Sequence, residues 1–186
     1  MNDKVYRSIR ELRADGKTIS GIAVVTESWS KDLGGFREII RKGALTEDLI
    51  ARSDVMLNMD HDPSKVLARS KFGSGSLRLF ITERGLEFQT ECPDTQLGHD
   101  CMELLRRGDY SQCSFCFTIG TDGENWYRNE SGELCREITS FDRLYDVSIV
   151  YDPAYDDTSV DARSGRMVSI FRKLNTLEKM INNITV

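Results

Sequence analysis

The chain contains two histidines among its 186 residues, so any imidazole chemistry depends on His61 or His99. His61 follows a short apolar run at residues 55–59, which predicts the end of a β-strand. A strand end is a rigid place for a catalytic base, because neighbouring strands restrict its movement. Imidazole has an ordinary pKa of about 6.5, which suits proton transfer at neutral pH. His61 is therefore the first candidate for a general base.

Two further polar side chains lie on predicted strands downstream of His61. In residues 110–119, strict alternation separates Ser114 from the apolar side chains, so Ser114 is expected to point away from the core. In residues 144–151, alternation separates Asp146 from the apolar side chains in the same way. One imidazole, one hydroxyl and one carboxylate thus lie on three predicted strands.

Alternation alone does not direct His61 away from the core. It places His61 on the same strand face as Val55, Leu57 and Met59. Either a β-bulge or the end of the strand must therefore turn the imidazole outward.

Each of these side chains also fits an ordinary structural role. A histidine at a strand end is often a hydrogen-bonded structural residue, and most strand serines have no catalytic role. Asp146, on an otherwise apolar strand, fits a solvated outward side chain.

The cysteines favour reduced thiols in a reducing compartment, because they are odd in number and follow no regular framework. They are Cys92, Cys101, Cys113, Cys116 and Cys135. Cys113 and Cys116 have Cys-x-x-Cys spacing, but in a strand they face opposite sides, so we predict no metal and no cofactor. A zinc site formed by both with His61, and a Cys116 thiolate nucleophile beside His61, are the alternatives.

Local signals predict two helices. Residues 43–51 form a short helix with Thr46 as the N-cap. Residues 96–107 form a second helix, with Asp94 or Thr95 as the cap and Gly108 as the stop. His99 is then expected to be a solvated residue of its first turn.

The remaining pattern predicts many short strands, at residues 18–25, 54–59, 65–69, 76–82 and 85–91 in addition to those above. Residues 121–132 are predicted to form a hairpin tip, and residues 133–140 to pair back toward the Asp146 strand. The prediction is a β-rich α+β fold, a closed or nearly closed β-barrel with a few helices.

Length and composition fit one domain at residues 1–163, in which the first 15 or so residues are charged and of uncertain order, with disorder as one option. Residues 164–186 form a predicted amphipathic C-terminal helix, which would pack on the barrel, pair two subunits or act as a targeting tail. The net charge of −5 argues against nucleic-acid binding. No apolar stretch approaches the roughly 20 residues that span a bilayer, and no signal peptide is evident, which predicts a cytosolic protein without membrane contact.

An ordered series of segments across residues 20–163 resembles the prohead maturation serine proteases of tailed bacteriophages, which are related to the herpesvirus assembly proteases. The series is Gly21-Ile22-Ala23, Phe36-Arg37-Glu38-Ile39-Ile40, Gly43-Ala44-Leu45, Asn58-Met59-Asp60-His61-Asp62, Gly85-Leu86, Ser114-Phe115-Cys116-Phe117 and Leu144-Tyr145-Asp146-Val147-Ser148-Ile149-Val150 with Pro153-Ala154-Tyr155.

The resemblance implies a herpesvirus-protease-like barrel with Ser114 as the nucleophile, His61 as the general base and Asp146 as the third member. Asp142 on the same strand face is the reserve for the third position, and His99 is a further alternative. Cys116 departs from the family, which usually has glycine two residues after the serine.

The function that the resemblance implies is a serine endopeptidase that digests the scaffolding part of the major capsid protein, and itself, inside the prohead in the host cytoplasm. It also implies a homo-oligomer, with a dimer as the simplest form. The competing hypothesis is a non-catalytic barrel that serves as a capsid assembly factor, and Cys116 is the feature that favours it.

Overall fold

The computed structural model describes residues 4–9 and 12–151. The predicted C-terminal helix at residues 164–186 lies outside the described residues, as does the end of the predicted protease domain.

Strands dominate the described part of the chain. They are β1 (Val5–Ile9), β2 (Leu12–Asp15), β3 (Thr18–Val25), β4 (Arg37–Ile40), β5 (Asp54–Met59), β6 (Asp62–Lys71), β7 (Ser74–Gly75), β8 (Arg78–Thr82), β9 (Gly85–Glu91), β10 (Gln112–Ile119), β11 (Glu124–Arg128), β12 (Leu134–Ile138) and β13 (Phe141–Val150). The helices are α1 (Glu47–Arg52) and α2 (Gln96–Arg107), and a single 3₁₀ turn, Lys42–Ala44, precedes α1. Neither α-helix in these residues is long and apolar enough to cross a membrane.

The strands form three sheets. The largest has the order β1-β10-β13-β5-β6-β7, the second β2-β3-β9-β8 and the third β11-β12-β4. In the largest sheet, β10 runs antiparallel to β13, whereas β13 and β5 are parallel. The segments predicted to carry Ser114 and Asp146 are therefore direct neighbours, and the strand that leads to His61 lies beside them.

Helix α2 follows the predicted signals closely. The Thr95 hydroxyl accepts a hydrogen bond from the backbone N–H of Gly98 at 3.2 Å. At the other end Gly108 adopts φ 79°, a left-handed conformation that glycine favours. Cys101 is buried in the core, and Leu97 and Leu104 pack against it. The capping residues and the apolar face thus determine where the helix lies and which side is buried.

The main apolar core draws side chains from all three sheets. Cys113, Phe115 and Phe117 of β10 all point into it. The rings of Phe117 and Phe141 are 4.4 Å apart between centroids, and full burial of one such side chain contributes about 1.5–3 kcal/mol. This packing fixes the opposite face of β10, which carries Ser114.

A buried group of charges connects the largest sheet to the third sheet. The Arg7 guanidinium on β1 donates two hydrogen bonds of 2.7 Å to the Glu38 carboxylate on β4. Arg136 on β12 donates a further bond of 2.9 Å to the same carboxylate. Burial alone would raise the pKa of Glu38, but the two guanidinium groups hold that pKa below its ordinary value.

One feature of the sequence prediction was wrong. Residues 133–140 do not pair with β13: β12 pairs antiparallel with β11 and parallel with β4. Near the N-terminus of the described residues, β1 pairs with β10 and β2 with β3. The β1–β10 and β12–β4 pairings have no local signal, since each joins strands that are far apart in the chain.

The β-rich α+β class with few helices is confirmed. Within the described residues no sheet closes on itself, so the closed barrel stays a prediction.

Candidate active site

The hydroxyl and the carboxylate of the site lie on adjacent strands. In the β10–β13 pair, Ser114 is opposite Ser148, and Cys116 is opposite Asp146. Side chains directly opposite each other point to the same face, as do residues two apart on one strand. Ser114 and Asp146 are therefore diagonal neighbours on one face, with room for an imidazole between them.

The imidazole comes from a strained turn between β5 and β6. Asp60 and His61 both have φ 55°, in the left-handed region. For a residue other than glycine this conformation costs about 1–2 kcal/mol. The β5–β6 register also shifts on both sides of Asn58. These irregularities turn His61 away from the face of Leu57, as the sequence required.

The three side chains form a continuous hydrogen-bonded series. His61 Nδ1 is 2.6 Å from Asp146 Oδ1, and His61 Nε2 is 2.7 Å from Ser114 Oγ. A carboxylate only accepts hydrogen bonds, so Nδ1 carries the proton and Nε2 can accept the Ser114 hydroxyl proton. The chain thus has the geometry to remove a proton from the serine hydroxyl.

The three side chains of the site differ in how far they are exposed to solvent. Ser114 is 3% exposed and Asp146 is 7% exposed, whereas 23% of the His61 side chain is exposed. The opposite face of β10 belongs to the apolar core, so Ser114 does point away from that core, yet it is still covered. A partly desolvated site strengthens the interaction between the imidazole and the carboxylate.

The alternatives for the third position lie elsewhere. The His99 imidazole, 65% exposed on α2, is 2.8 Å from Asp94. Asp142 accepts a hydrogen bond of 3.4 Å from Thr118. Only Asp146, of the three residues considered for this position, is hydrogen-bonded to His61.

The two cysteines of the Cys-x-x-Cys segment do not lie together. Cys113 is in the apolar core, where burial raises the pKa of its thiol. Cys116 is on the other face of β10, the face that carries Ser114. It lies opposite Asp146 of β13 and is fully buried. In the part of the chain that the structure describes, no group of three or more His, Cys, Asp or Glu side chains could hold a metal ion.

Sequence reasoning missed two residues around the His61 turn. Ser148 accepts a hydrogen bond from the His61 backbone N–H, and Tyr110 donates one to the Asp60 carboxylate. Ser148 had a signal, since it is a polar residue on an apolar strand in the same face as Asp146. Tyr110 had none, because its contact joins residues 50 positions apart.

A serine hydroxyl, an imidazole and a carboxylate in hydrogen-bonded series are the arrangement of the serine hydrolases. Here they stand on a β-rich α+β fold. The chain belongs to the caudovirus prohead serine protease family, whose model matches residues 4–172. It is therefore a serine protease of capsid maturation.

Solved structures also match the chain, among them a viral protease. The capsid assembly protease of bacteriophage T4 superposes with a TM-score of 0.51 and is 9% identical in sequence, over 80% of this chain and 98% of that chain. At this identity the match shows a shared fold. No curated protein matches the chain significantly.

Proposed function

We propose that Ser114, His61 and Asp146 form the catalytic triad of an endopeptidase that cleaves the scaffolding part of the major capsid protein, and itself, inside the prohead. The observation that carries the proposal is the unbroken series from Ser114 Oγ through the imidazole to Asp146 Oδ1, with distances of 2.7 and 2.6 Å. Family membership supports the substrate class and the site of action within the host.

The proposed reaction has two halves, acylation and deacylation, and the three side chains act in both. Ser114 Oγ attacks the peptide carbonyl carbon while His61 Nε2 takes the hydroxyl proton. His61 then gives that proton to the leaving amine, which departs as the C–N bond breaks and leaves an acyl-enzyme. In the second half a water molecule replaces the amine: His61 takes its proton, and Ser114 recovers it as the acid product leaves. Asp146 keeps the Nδ1 proton in place and stabilises the imidazolium.

Enclosure in the prohead suits such an enzyme, because packaging raises the local concentration of its substrate. We extend the proposal to a homo-oligomer, most simply a dimer, because the herpesvirus relatives require dimerisation for activity. A closed or nearly closed barrel also belongs to the proposal, and its support is the main apolar core, to which all three sheets contribute.

The test measures intact mass over time for the wild-type protein and its Ser114→Ala variant, each alone and with the neighbouring capsid precursor. Ser111→Ala, in the same segment, is the matched control. We expect fragments from the wild type and the control, and a fall of about 10⁴- to 10⁶-fold in rate for Ser114→Ala. Equal cleavage by all three proteins would refute Ser114 as the nucleophile. Absence of cleavage from all three, with normal capsid assembly, would favour the non-catalytic assembly factor.

A further inference from the structure

The turn that carries His61 makes hydrogen bonds to groups outside its own hairpin. Asp60 and His61 are consecutive non-glycine residues at φ 55°. Such a conformation persists only where the surrounding structure over-determines it, and it is commonly found where the strained position serves a function. The groups that hold this turn are therefore candidates for a role in placing the imidazole.

The first contacts come from β13. The Asp60 backbone N–H donates to the Ile149 carbonyl oxygen at 3.0 Å. The next N–H, that of His61, donates to the Ser148 hydroxyl oxygen at 2.7 Å. Ser148 is fully buried, and its hydroxyl donates to the Asn58 carbonyl oxygen, with 3.5 Å between the two oxygen atoms. The Ser148 side chain thus ties the backbone of the base directly to the strand that carries Asp146.

The second contact comes from the segment before β10. The Tyr110 hydroxyl donates to Asp60 Oδ2 at 2.8 Å, and Lys65 Nζ approaches the same carboxylate oxygen at 3.9 Å. Burial, and then the Asp60 carboxylate, raise the pKa of Tyr110 to about 12, so its hydroxyl stays a donor at neutral pH. The Tyr110 ring packs edge-on against Tyr151, with centroids 5.9 Å apart. Tyr110 therefore connects the approach to the Ser114 strand with the turn that carries His61.

We propose that Ser148 and Tyr110 are positioning residues, which hold the left-handed Asp60–His61 turn from two sides so that the imidazole lies between Ser114 and Asp146. This inference rests on the proposed function, because it assigns a purpose to the placement of the proposed base. Ser148 acts on the His61 backbone directly, and Tyr110 acts through Asp60.

The chain offers a matched control for each residue. Ser53 is also a fully buried serine whose hydroxyl accepts a backbone N–H, that of Leu144 on β13, at 3.1 Å. Ser53→Ala therefore removes the same kind of bond as Ser148→Ala, at a different point of the same strand. Tyr127 donates to the Glu137 carboxylate at 3.1 Å, as Tyr110 does to Asp60. Tyr127→Phe is accordingly the control for Tyr110→Phe.

The first experiment observes the imidazole directly and needs no activity. Protein labelled with ¹⁵N-histidine, in the Ser114→Ala background, gives two imidazoles to assign, and His99→Gln identifies the signal of His61. A proton held between His61 Nδ1 and the Asp146 carboxylate gives a downfield resonance. We expect Ser148→Ala and Tyr110→Phe to weaken or shift this resonance, and both controls to leave it unchanged.

The second experiment measures kcat and KM on the capsid precursor with Ser114 present. Displacing a catalytic group by about 1 Å costs about 10²-fold in rate, so we expect kcat to fall by up to about 10²-fold with little change in KM. Ser148→Thr keeps a hydroxyl at this position, so its kcat should fall less than that of Ser148→Ala. The controls should keep the wild-type kcat once thermal melts have confirmed folding.

The results distinguish a failure of this inference from a failure of the proposed function. An unchanged His61 resonance and unchanged kcat in both Ser148→Ala and Tyr110→Phe would overturn the inference, even if Ser114→Ala abolishes cleavage. If Ser148→Ala does not fold, Tyr110→Phe alone decides by the same two measurements. Wild-type cleavage by Ser114→Ala would instead refute the proposed function, and the His61 resonance would still decide whether the two residues position the imidazole.

Discussion

Replacing Asp146 by asparagine tests the carboxylate at a position where the shape of the side chain is kept and only its charge and hydrogen bonding change. Asp146 Oδ1 is 2.6 Å from His61 Nδ1, and only 7% of the residue is exposed. Asparagine is nearly isosteric with aspartate, so the sheet and the position of Ser114 should survive the substitution.

The expected magnitude follows from the charge that forms during attack. When His61 takes the Ser114 proton, the imidazolium lies directly against the Asp146 carboxylate. Two unit charges about 4 Å apart interact by about 4 kcal/mol at an effective dielectric constant of about 20. Loss of that interaction alone corresponds to about 10³-fold in rate. An asparagine NH₂ group facing Nδ1 would also reverse the tautomer, which brings the expected loss to about 10⁴-fold.

The assay follows initial rates of capsid precursor cleavage by mass, with thermal melts to verify folding. Asp142→Asn is the matched control, since Asp142 lies on the same strand and accepts a bond from Thr118 instead of His61. We expect the control to keep the wild-type rate, and Asp146→Asn to lose less than Ser114→Ala. A loss below about 10-fold for folded Asp146→Asn would refute the electrostatic argument. Loss in Asp142→Asn or His99→Gln would then identify the third group.

Three further predictions concern stability and thiol chemistry. Glu38→Gln should lower the free energy of unfolding by about 3 kcal/mol at neutral pH, because it removes the buried carboxylate that Arg7 and Arg136 share, although Arg136 keeps its ion pair with Glu124. The pKa of Glu38 is held below its ordinary value of 4.5. Its contribution to the free energy of unfolding is therefore present above that pH and is lost as the pH falls through the lowered pKa. Measured by denaturant melts, the stability of the variant should consequently change less on acidification than that of the wild type. Gly85→Ala should lower stability by about 3 kcal/mol or more, since Gly85 has φ 141° and a Cβ there would lie 1.9 Å from a backbone carbonyl oxygen of β3. Alkylation of the native protein should modify Cys92 first, because the other four cysteines are buried.

Each of these three predictions has a control at another position of the chain. Glu27→Gln changes a surface carboxylate paired with Arg41, so it should alter stability little; a similar loss at both positions would contradict the role of burial. Gly108→Ala keeps the strain of a positive φ, but a Cβ there meets nothing within 4 Å, so it should cost clearly less than Gly85→Ala. Native-state labelling of Cys113 at the rate seen in urea would show that β10 is not packed as described.

The parts of the fold that the sequence predicted well have local causes. The strand Asp54–Met59 and the helix Gln96–Arg107 were predicted with the bounds that the structure shows, because alternation and capping residues act over a few positions. Thr46 likewise caps α1, accepting the Leu49 N–H at 3.1 Å. In contrast, β1 lies on the edge of the largest sheet and is recognisable only through its pairing with β10.

The candidate site divides in the same way. Alternation placed Ser114 and Asp146 on their strand faces, and the resemblance selected them together with His61. The conformation of the His61 turn was beyond local reasoning, because the group that accepts the His61 N–H, Ser148, lies 87 positions later in the chain. Long-range contacts of this kind leave no periodic trace in a sequence.

The parallel pairing of β5 with β13 also has a consequence for the time at which the enzyme becomes competent during its synthesis. His61 lies 53 positions before Ser114 and 85 positions before Asp146. A ribosome releases the chain from its N-terminus, so the base and the nucleophile emerge while β13 is still unmade. Until β13 is made, β10 and β5 lack the strand that lies between them in the sheet. The proposed triad therefore cannot assemble before β13, which carries Asp146, has been synthesised.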